Sequence, residues 1–373
     1  MVAPDLYSGF LRAYPGFKPT WSRTSIERAT DDLRACAEVL GPNELGRILA
    51  DVDPSADVED FWEGCARMAA SQRAAAKRGG RLRLAERGSW DTESLGRRLG
   101  PVLRQETGFH ARDEFIDHPL LQRFGGRSIV AATSYDQDVD GDLGPELMGE
   151  LVALRDAGHA EAVIKLAASK TGIVRVRLAG RSSEEILHDL QDDESGLGWS
   201  LIHLDGVRDA FRIQPVIDMA HEYRFFVVDG LVVAGAGCIE EHTPYDRDEE
   251  FTITPDSFVT EALVCCPRSL FPPRLDTRTR EVRGTLGREG TPSVVHRPDV
   301  VGRLMAAATE MVASCPGTYA LDLAIDRDRD QVVVVELNGI TNAGLYAADA
   351  DRVQLALAMA SDKGYGHLDR PAD

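Results

Sequence analysis

YALDLAIDRDRDQVVVVELNGITNAGL, residues 319–345, contains two apolar segments that each have the length of a β-strand. The charged run Asp326–Asp330 separates them, so the two segments are predicted to form an antiparallel hairpin. Residues two apart share a face of a strand, which places Glu336 and Asn338 together, opposite Asp322 of the partner strand. Carboxylate and amide oxygens are the ligands that Mg²⁺ prefers, so the pattern predicts a metal site. A strand that simply ends in a polar loop is the alternative.

A second hairpin is predicted in FRIQPVIDMAHEYRFFVVDGLVVAGA, residues 211–236. The turn pair Asp229-Gly230 lies between two apolar runs, a strong hairpin signal. Glu222 and Arg224 lie two residues apart and share a face of the first strand. An acid and an arginine placed in this way suit a nucleotide, the acid for ribose hydroxyls and the arginine for phosphate. A cross-strand salt bridge is the alternative interpretation.

Lysine is scarce in this chain, which has five lysines against 37 arginines. Two of the five lie in AVIKLAASKTGIVRV, residues 162–176: Lys165 ends an apolar strand and Lys170 lies in a loop of small residues. Ammonium groups at a strand end and in a loop suit the oxygens of a polyphosphate. The GxxxxGK[ST] phosphate loop is absent. Two surface lysines on a solvated strand edge are the alternative.

In this order, the three features resemble the ATP-grasp superfamily over roughly residues 126–360. An arginine beside two lysines is similar to the clade of that superfamily named for one arginine and two lysines. The resemblance implies two Mg²⁺ ions, or Mn²⁺ in their place, with Asp322, Glu336 and Asn338 as metal ligands. The residues that it implies for ATP binding are Lys165, Lys170, Gln214, Val216, Ile217, Glu222 and Arg224. Among them, the hinge at 214–217 would hold adenine and Glu222 would hold the ribose.

The resemblance and the mixture of helices with hairpins imply an α+β fold in which two subdomains grip ATP. Residues 1–125 are predicted to be a mainly helical N-terminal region without a chemical motif. Residues 126–215 would form the small ATP-grasp subdomain with both lysines, and residues 216–373 the large subdomain with the metal site. Residues 266–300 hold seven arginines and five prolines. They are predicted to be irregular, as a substrate-covering loop or as a solvated linker.

The reaction that the resemblance implies is the ATP-dependent joining of a carboxylate to an amine through an acyl phosphate, with release of ADP and phosphate. Lys170 and Arg224 would be the catalytic residues, and amino acids or peptides the substrates. Peptide-forming relatives often carry a carboxylate-binding arginine where this chain has Ala320, so the anchor must lie elsewhere. The residues predicted to bind substrates are Asn342, Gly344, Tyr346, Arg268, Arg274 and Arg283. A kinase and a non-catalytic nucleotide-binding interaction protein are the alternatives.

Composition limits the classes of partner. The chain has 373 residues, 42 Lys+Arg and 61 Asp+Glu, and its net charge of −19 is concentrated after residue 120. Such acidity argues against nucleic acid as a partner. No apolar run reaches the roughly 18 residues of a membrane span, and the N-terminus lacks a basic-then-apolar leader, so we expect a cytoplasmic protein without a membrane partner. Six cysteines without metal-binding spacing predict free thiols, and a homodimer is common among ATP-grasp relatives.

Overall fold

The computed structural model describes residues 21–51, 58–80, 82, 119–125, 128–132, 145–166, 174–191, 209–217, 219–239, 242–246, 263–265, 274–275, 282–283, 294–340 and 343–362. The helices are α1 (Arg23–Leu40), α2 (Pro42–Asp51), α3 (Val58–Lys77), α4 (Pro119–Gly125), α5 (Pro145–Asp156), α6 (Ser183–Gln191), α7 (Pro298–Ser314) and α8 (Ala350–Asp362). The strands are β1 (Ser128–Ala132), β2 (Glu161–Leu166), β3 (Val174–Arg177), β4 (Asp209–Pro215), β5 (Met219–Val228), β6 (Leu231–Gly237), β7 (Leu263–Cys265), β8 (Arg274–Leu275), β9 (Val282–Arg283), β10 (Val294–His296), β11 (Tyr319–Asp326) and β12 (Gln331–Asn338). This is the predicted α+β class, with both predicted hairpins present. Over the described ranges, every helix is too short or too polar to cross a membrane.

The smaller sheet is antiparallel and has the strand order β1-β4-β2-β3. Its core joins Leu147 of α5 and Ile186 of α6 to Ile164 and Phe211 of the strands. Side chains alternate between the two faces of a strand. Since Ile164 points into this core, Lys165 points to the opposite face, away from the helices of the small sheet.

The larger sheet has the order β10-β7-β5-β11-β12, with β6 paired to β5. Tyr223 and Phe225 of β5 pack in a core with α7, whereas Phe226 and Val228 pack in a second core with the N-terminal helices and α8. Helices therefore cover both faces of the sheet. This explains why β11 is buried along its whole length and has a nearly continuous apolar sequence.

The N-terminal helices share the second of these cores with the large sheet. Phe61, Trp62 and Cys65 of α3 are fully buried, and α1 and α8 pack against this helix. The Trp62 ring lies 5.2 Å from that of Trp21 and 5.5 Å from that of Tyr245, both in edge-to-face arrangements. The helical region is thus built into the large sheet's core, while the exact limits of the three parts drawn from the sequence stay predictions.

The arginine-rich segment 266–300 contains short strands where the sequence suggested irregular chain. Arg274 lies directly opposite Arg283 in the two-stranded ladder of β8 and β9. Near its end, β10 pairs with β7 of the large sheet. Strands of two or three residues have no period for a sequence pattern to reveal, which is why the expectation was wrong for these residues.

Candidate active site

Two polar side chains share one face of β5. Tyr223 and Phe225 are buried in the α7 core, so Glu222 and Arg224 point to the opposite face. His221 has a left-handed backbone with φ of 60°, and the pairing of β5 with β11 shifts register beside it. A bulge of this kind twists a strand locally and re-aims the next side chain, here Glu222.

Arg224 forms a buried, two-pronged ion pair with Asp322 of the neighbouring strand. The two residues are directly opposite each other in the β5–β11 ladder. Nε donates to Oδ1 at 2.7 Å and Nη2 to Oδ2 at 2.6 Å, with side-chain exposures of only 9% and 3%. Burial opposes the charge of Arg224, but the carboxylate of Asp322 outweighs it and holds the arginine pKa well above its usual value. Both groups are therefore charged at neutral pH and fixed in orientation.

A bulge in β12 brings the other predicted metal ligands to the face of Asp322. Near the turn, residues pair in regular register up to Leu323 with Val334. The next pair is Asp322 with Glu336, which leaves Val335 as one extra residue. Regular pairing would have put Val335 opposite Asp322 and turned Glu336 to the other face of the sheet. The bulge therefore builds the cluster of acids.

The small sheet reaches this cluster through Lys165. Its Nζ donates to Oε2 of Glu336 at 2.5 Å, and the two side chains are about equally exposed, 20% and 22%. Asn338 is buried, with Nδ2 3.4 Å from Oδ2 of Asp322. A lysine of one sheet thus meets the acid cluster of the other, which is where the sequence predicted phosphate and metal to meet.

Glu222 lies in an environment with an excess of negative charge. Burial, together with the charge of Asp322, raises the pKa of Glu222 to about 8, and the charge of Glu336 adds to the rise. Glu222, Cys238 and Asp322 each place a potential ligand atom within 4.8 Å of the other two. Bringing a cation to this place would relieve the repulsion between the carboxylates.

The chain that follows the metal-ligand strand passes directly beside Arg224. Nη1 of Arg224 donates to the carbonyl oxygen of Gly344 at 3.0 Å, and its guanidinium lies 5.0 Å from the centre of the Tyr346 ring. Tyr346 has a left-handed backbone, with φ of 50°. Two of the three residues predicted there to bind substrate thus border the ion pair, while Asn342 lies outside the described residues.

Sequence reasoning missed two residues of α3 that hold this same chain. Oε2 of Glu63 accepts a hydrogen bond from the Leu345 amide at 2.7 Å, and Nη2 of Arg67 donates to the carbonyl of Ala343. Glu63 and Arg67 also pair with each other, Nε to Oε1 at 2.9 Å. The available signal was an acid and an arginine four residues apart within an otherwise apolar run of the helix.

The predicted adenine hinge joins the two sheets. Gln214 ends β4, and the amide of Val216 donates to the carbonyl of Glu161 at 3.0 Å. The carbonyl of Ile217 accepts from the amide of Met219 at 3.1 Å, which closes a tight turn into β5. Gln214, Val216 and Ile217 are all partly exposed, so they line the passage between the sheets, and their contact with adenine stays a prediction.

The remaining predicted residues fall in less described parts of the chain. Lys170 and Arg268 lie outside the described residues. For Arg274 and Arg283 the structure describes the backbone, which pairs the two residues with each other. Their proposed contact with a substrate carboxylate stays a prediction.

Comparison with known proteins identifies the domain. Residues 209–356 match a family model of the ATP-grasp domain, the second family of the clade named for one arginine and two lysines. The match covers less than half of the chain; it includes Glu222, Arg224 and the three predicted metal ligands, but neither Lys165 nor Lys170. Among curated proteins, none matches the sequence.

Similar solved structures have low sequence identity. Cdc123 from Schizosaccharomyces pombe is 12% identical over 61% of this chain and 83% of its own, with a TM-score of 0.30. The ATP-grasp ligase PsnB complexed with minimal precursor, Mg and ADP is 14% identical over 72% and 69%, with a TM-score of 0.31. D-alanine–D-alanine ligase from Bacillus anthracis is 11% identical over 74% and 71%, also with a TM-score of 0.31. Similarity of this extent carries no weight for function. The matched family model, in contrast, identifies residues 209–356 as an ATP-grasp domain and so places the chain in the ATP-grasp superfamily.

Proposed function

We propose that this protein is an ATP-dependent carboxylate–amine ligase of the clade named for one arginine and two lysines. It would join amino-acid or peptide substrates through an acyl phosphate and release ADP and phosphate. The observation that carries the proposal is the meeting of Lys165 from the small sheet with Glu336 in the acid cluster of the large sheet. A polyphosphate held between the sheets would take up Lys165, and a metal ion would take up Glu336.

The residues of the cluster fit a divalent cation. Asp322 and Glu336 offer carboxylate oxygens and Asn338 an amide oxygen, the hard donors that suit Mg²⁺ or Mn²⁺. The raised pKa of Glu222 reflects an excess of negative charge that a dication would offset. The ammonium of Lys165 already lies at this position as a positive group. When bound, the metal would supply charge neutralisation for the β- and γ-phosphate oxygens.

In the proposed reaction, a carboxylate oxygen of the substrate attacks the γ-phosphorus of ATP, the bond from phosphorus to the bridging oxygen breaks, and ADP leaves. The amine nitrogen then attacks the acyl carbon, phosphate leaves with the bonding electrons, and the nitrogen loses a proton. Lys165, Lys170 and Arg224 would offset the charge that develops on phosphate oxygens, and Glu222 would bind the ribose. The protein acts by positioning and by electrostatic stabilisation, and needs no nucleophile of its own.

The test is to analyse the nucleotide products of the purified protein after incubation with Mg-ATP and a pool of amino acids. We expect ADP to form only when the pool is present, and an amide product with it. Lys165→Ala is expected to abolish this turnover, while Lys77→Ala, which changes an exposed lysine at the end of α3, is the matched control. ADP with a phosphorylated product would indicate a kinase, and AMP would refute the acyl-phosphate route.

A further inference from the structure

Three consecutive residues after β12 are each held through a main-chain group by a charged side chain. Arg67 binds the carbonyl of Ala343, Arg224 binds the carbonyl of Gly344, and Glu63 binds the amide of Leu345. Two of these side chains come from α3 in the N-terminal region, 276 and 282 residues away in sequence. The chain from Ala343 to Leu345 is thus clamped between a helix and the active-site arginine.

The clamp is buried and close-fitting. The Arg67 side chain is 2% exposed and that of Glu63 is 19% exposed, so their pairing is largely shielded from water. At Gly344, an added Cβ would lie 3.5 Å from Nη1 of Arg224 and 3.7 Å from Oε2 of Glu63. The carboxylate of α3 and the guanidinium of the active site therefore flank the same glycine from two sides. Charged groups that bind main-chain atoms in a water-poor place hold them more firmly than neutral groups do.

We propose that Glu63 and Arg67 are positioning residues that fix residues 343–346 against Arg224 as the wall of the acceptor side of the active site. This inference rests on the proposed function, in which Gly344 and Tyr346 border the acceptor. Neither residue of α3 contacts Lys165 or the acid cluster in the described part of the chain. Their loss is therefore expected to weaken the use of the acceptor while the affinity for nucleotide is retained.

The first arm of the test is hydrogen–deuterium exchange of the full chain, which needs no knowledge of the substrate. In Glu63→Ala and Arg67→Met, a peptide covering residues 343–349 is expected to exchange at least about tenfold faster, because it loses hydrogen bonds to charged groups. Peptides from β12 and α8 are expected to keep their protection. The matched control is Arg73→Met, which breaks ion pairs of the same helix with Asp32 and Asp351 that lie away from the clamp.

The second arm separates positioning from general stability. With the amino-acid pool as substrate, Glu63→Gln is expected to raise the KM for the pool at least about fivefold, with the Kd of a non-hydrolysable ATP analogue changed less than about twofold. Unchanged exchange of residues 343–349 in the Glu63 and Arg67 variants would refute the proposal, as would equal changes in Arg73→Met. Should Arg67→Met fail to fold, the two Glu63 variants still decide. If the unsubstituted protein makes no amide, the proposed ligase function fails, and the exchange arm still tests the clamp.

Discussion

Replacing Arg224 by methionine removes the guanidinium at the centre of the site and keeps a long unbranched side chain there. The variant loses two hydrogen bonds to Asp322, of 2.7 and 2.6 Å, and one of 3.0 Å to the carbonyl of Gly344. Asp322 remains 2% exposed, without its opposite charge. The change therefore isolates the cost of leaving one buried carboxylate without its partner.

The expected loss of stability is large for a single substitution. Removing one partner of a buried ion pair typically costs about 3–5 kcal/mol, because the remaining charge is uncompensated. The matched control is Arg303→Met, whose partner is Asp330 and whose pair is exposed, with side-chain exposures of 42% and 81%. Such a surface pair contributes at most about 1 kcal/mol. Adding Asp322→Asn to Arg224→Met is expected to cost little more, since the unpaired charge is then gone.

The assay is equilibrium unfolding in urea, with the free energy of unfolding obtained from the midpoint and slope for all four proteins. We expect Arg224→Met to have a clearly lower midpoint than the unsubstituted protein and Arg303→Met to be nearly unchanged. A loss of less than about 1 kcal/mol in Arg224→Met, no larger than in the control, would refute the buried ion pair as the structure has it.

Three further predictions concern the acid cluster and the large sheet. Glu336→Gln is expected to lower ADP formation at least about a hundredfold because it removes an anionic metal ligand, as measured by product analysis. Glu222 has a pKa of about 8 in the fold against 4.5 as its usual value, so its contribution to stability is complete below about pH 4.5 and lost as pH rises through 8. In Glu222→Gln, urea unfolding at several pH values should show this decline flattened, by up to about 1.4 kcal/mol per pH unit; an unchanged decline would contradict the shift. Gly235→Ala is expected to destabilise by about 1–3 kcal/mol, because its Cβ would lie 2.9 Å from a ring atom of Tyr223, whereas Gly302→Ala in α7 meets open space and is expected to stabilise.

The two hairpins could be predicted from sequence because their information is local. Turn residues between apolar runs specify a hairpin, and the two-residue period specifies which side chains share a face. Glu222 with Arg224, and Glu336 with Asn338, follow directly from that period. The expectation that Asp322 faces Glu336 is confirmed by the register, but only through the extra residue Val335. The hairpin pattern alone would have turned Glu336 away.

The contacts across the fold could not be predicted from local pattern. Arg224 and Asp322 are 98 residues apart and meet because β5 and β11 are neighbours in the sheet. No periodicity reports which non-consecutive strands pair. The contribution of α3 was missed for the same reason: Glu63 and Arg67 look like an ordinary helical ion pair until the fold brings residues 343–345 beside them.

The most direct test of the proposed nucleotide site is calorimetric titration with a non-hydrolysable ATP analogue, in the presence and absence of Mg²⁺. The analogue is expected to bind with one site per chain, more tightly with Mg²⁺ than without, and at saturation to raise the melting temperature. Lys165→Ala should weaken binding, and Asp322→Asn should abolish the dependence on Mg²⁺. An analogue that does not bind, or that binds equally well in both variants, would contradict the assignment of these residues to an ATP site.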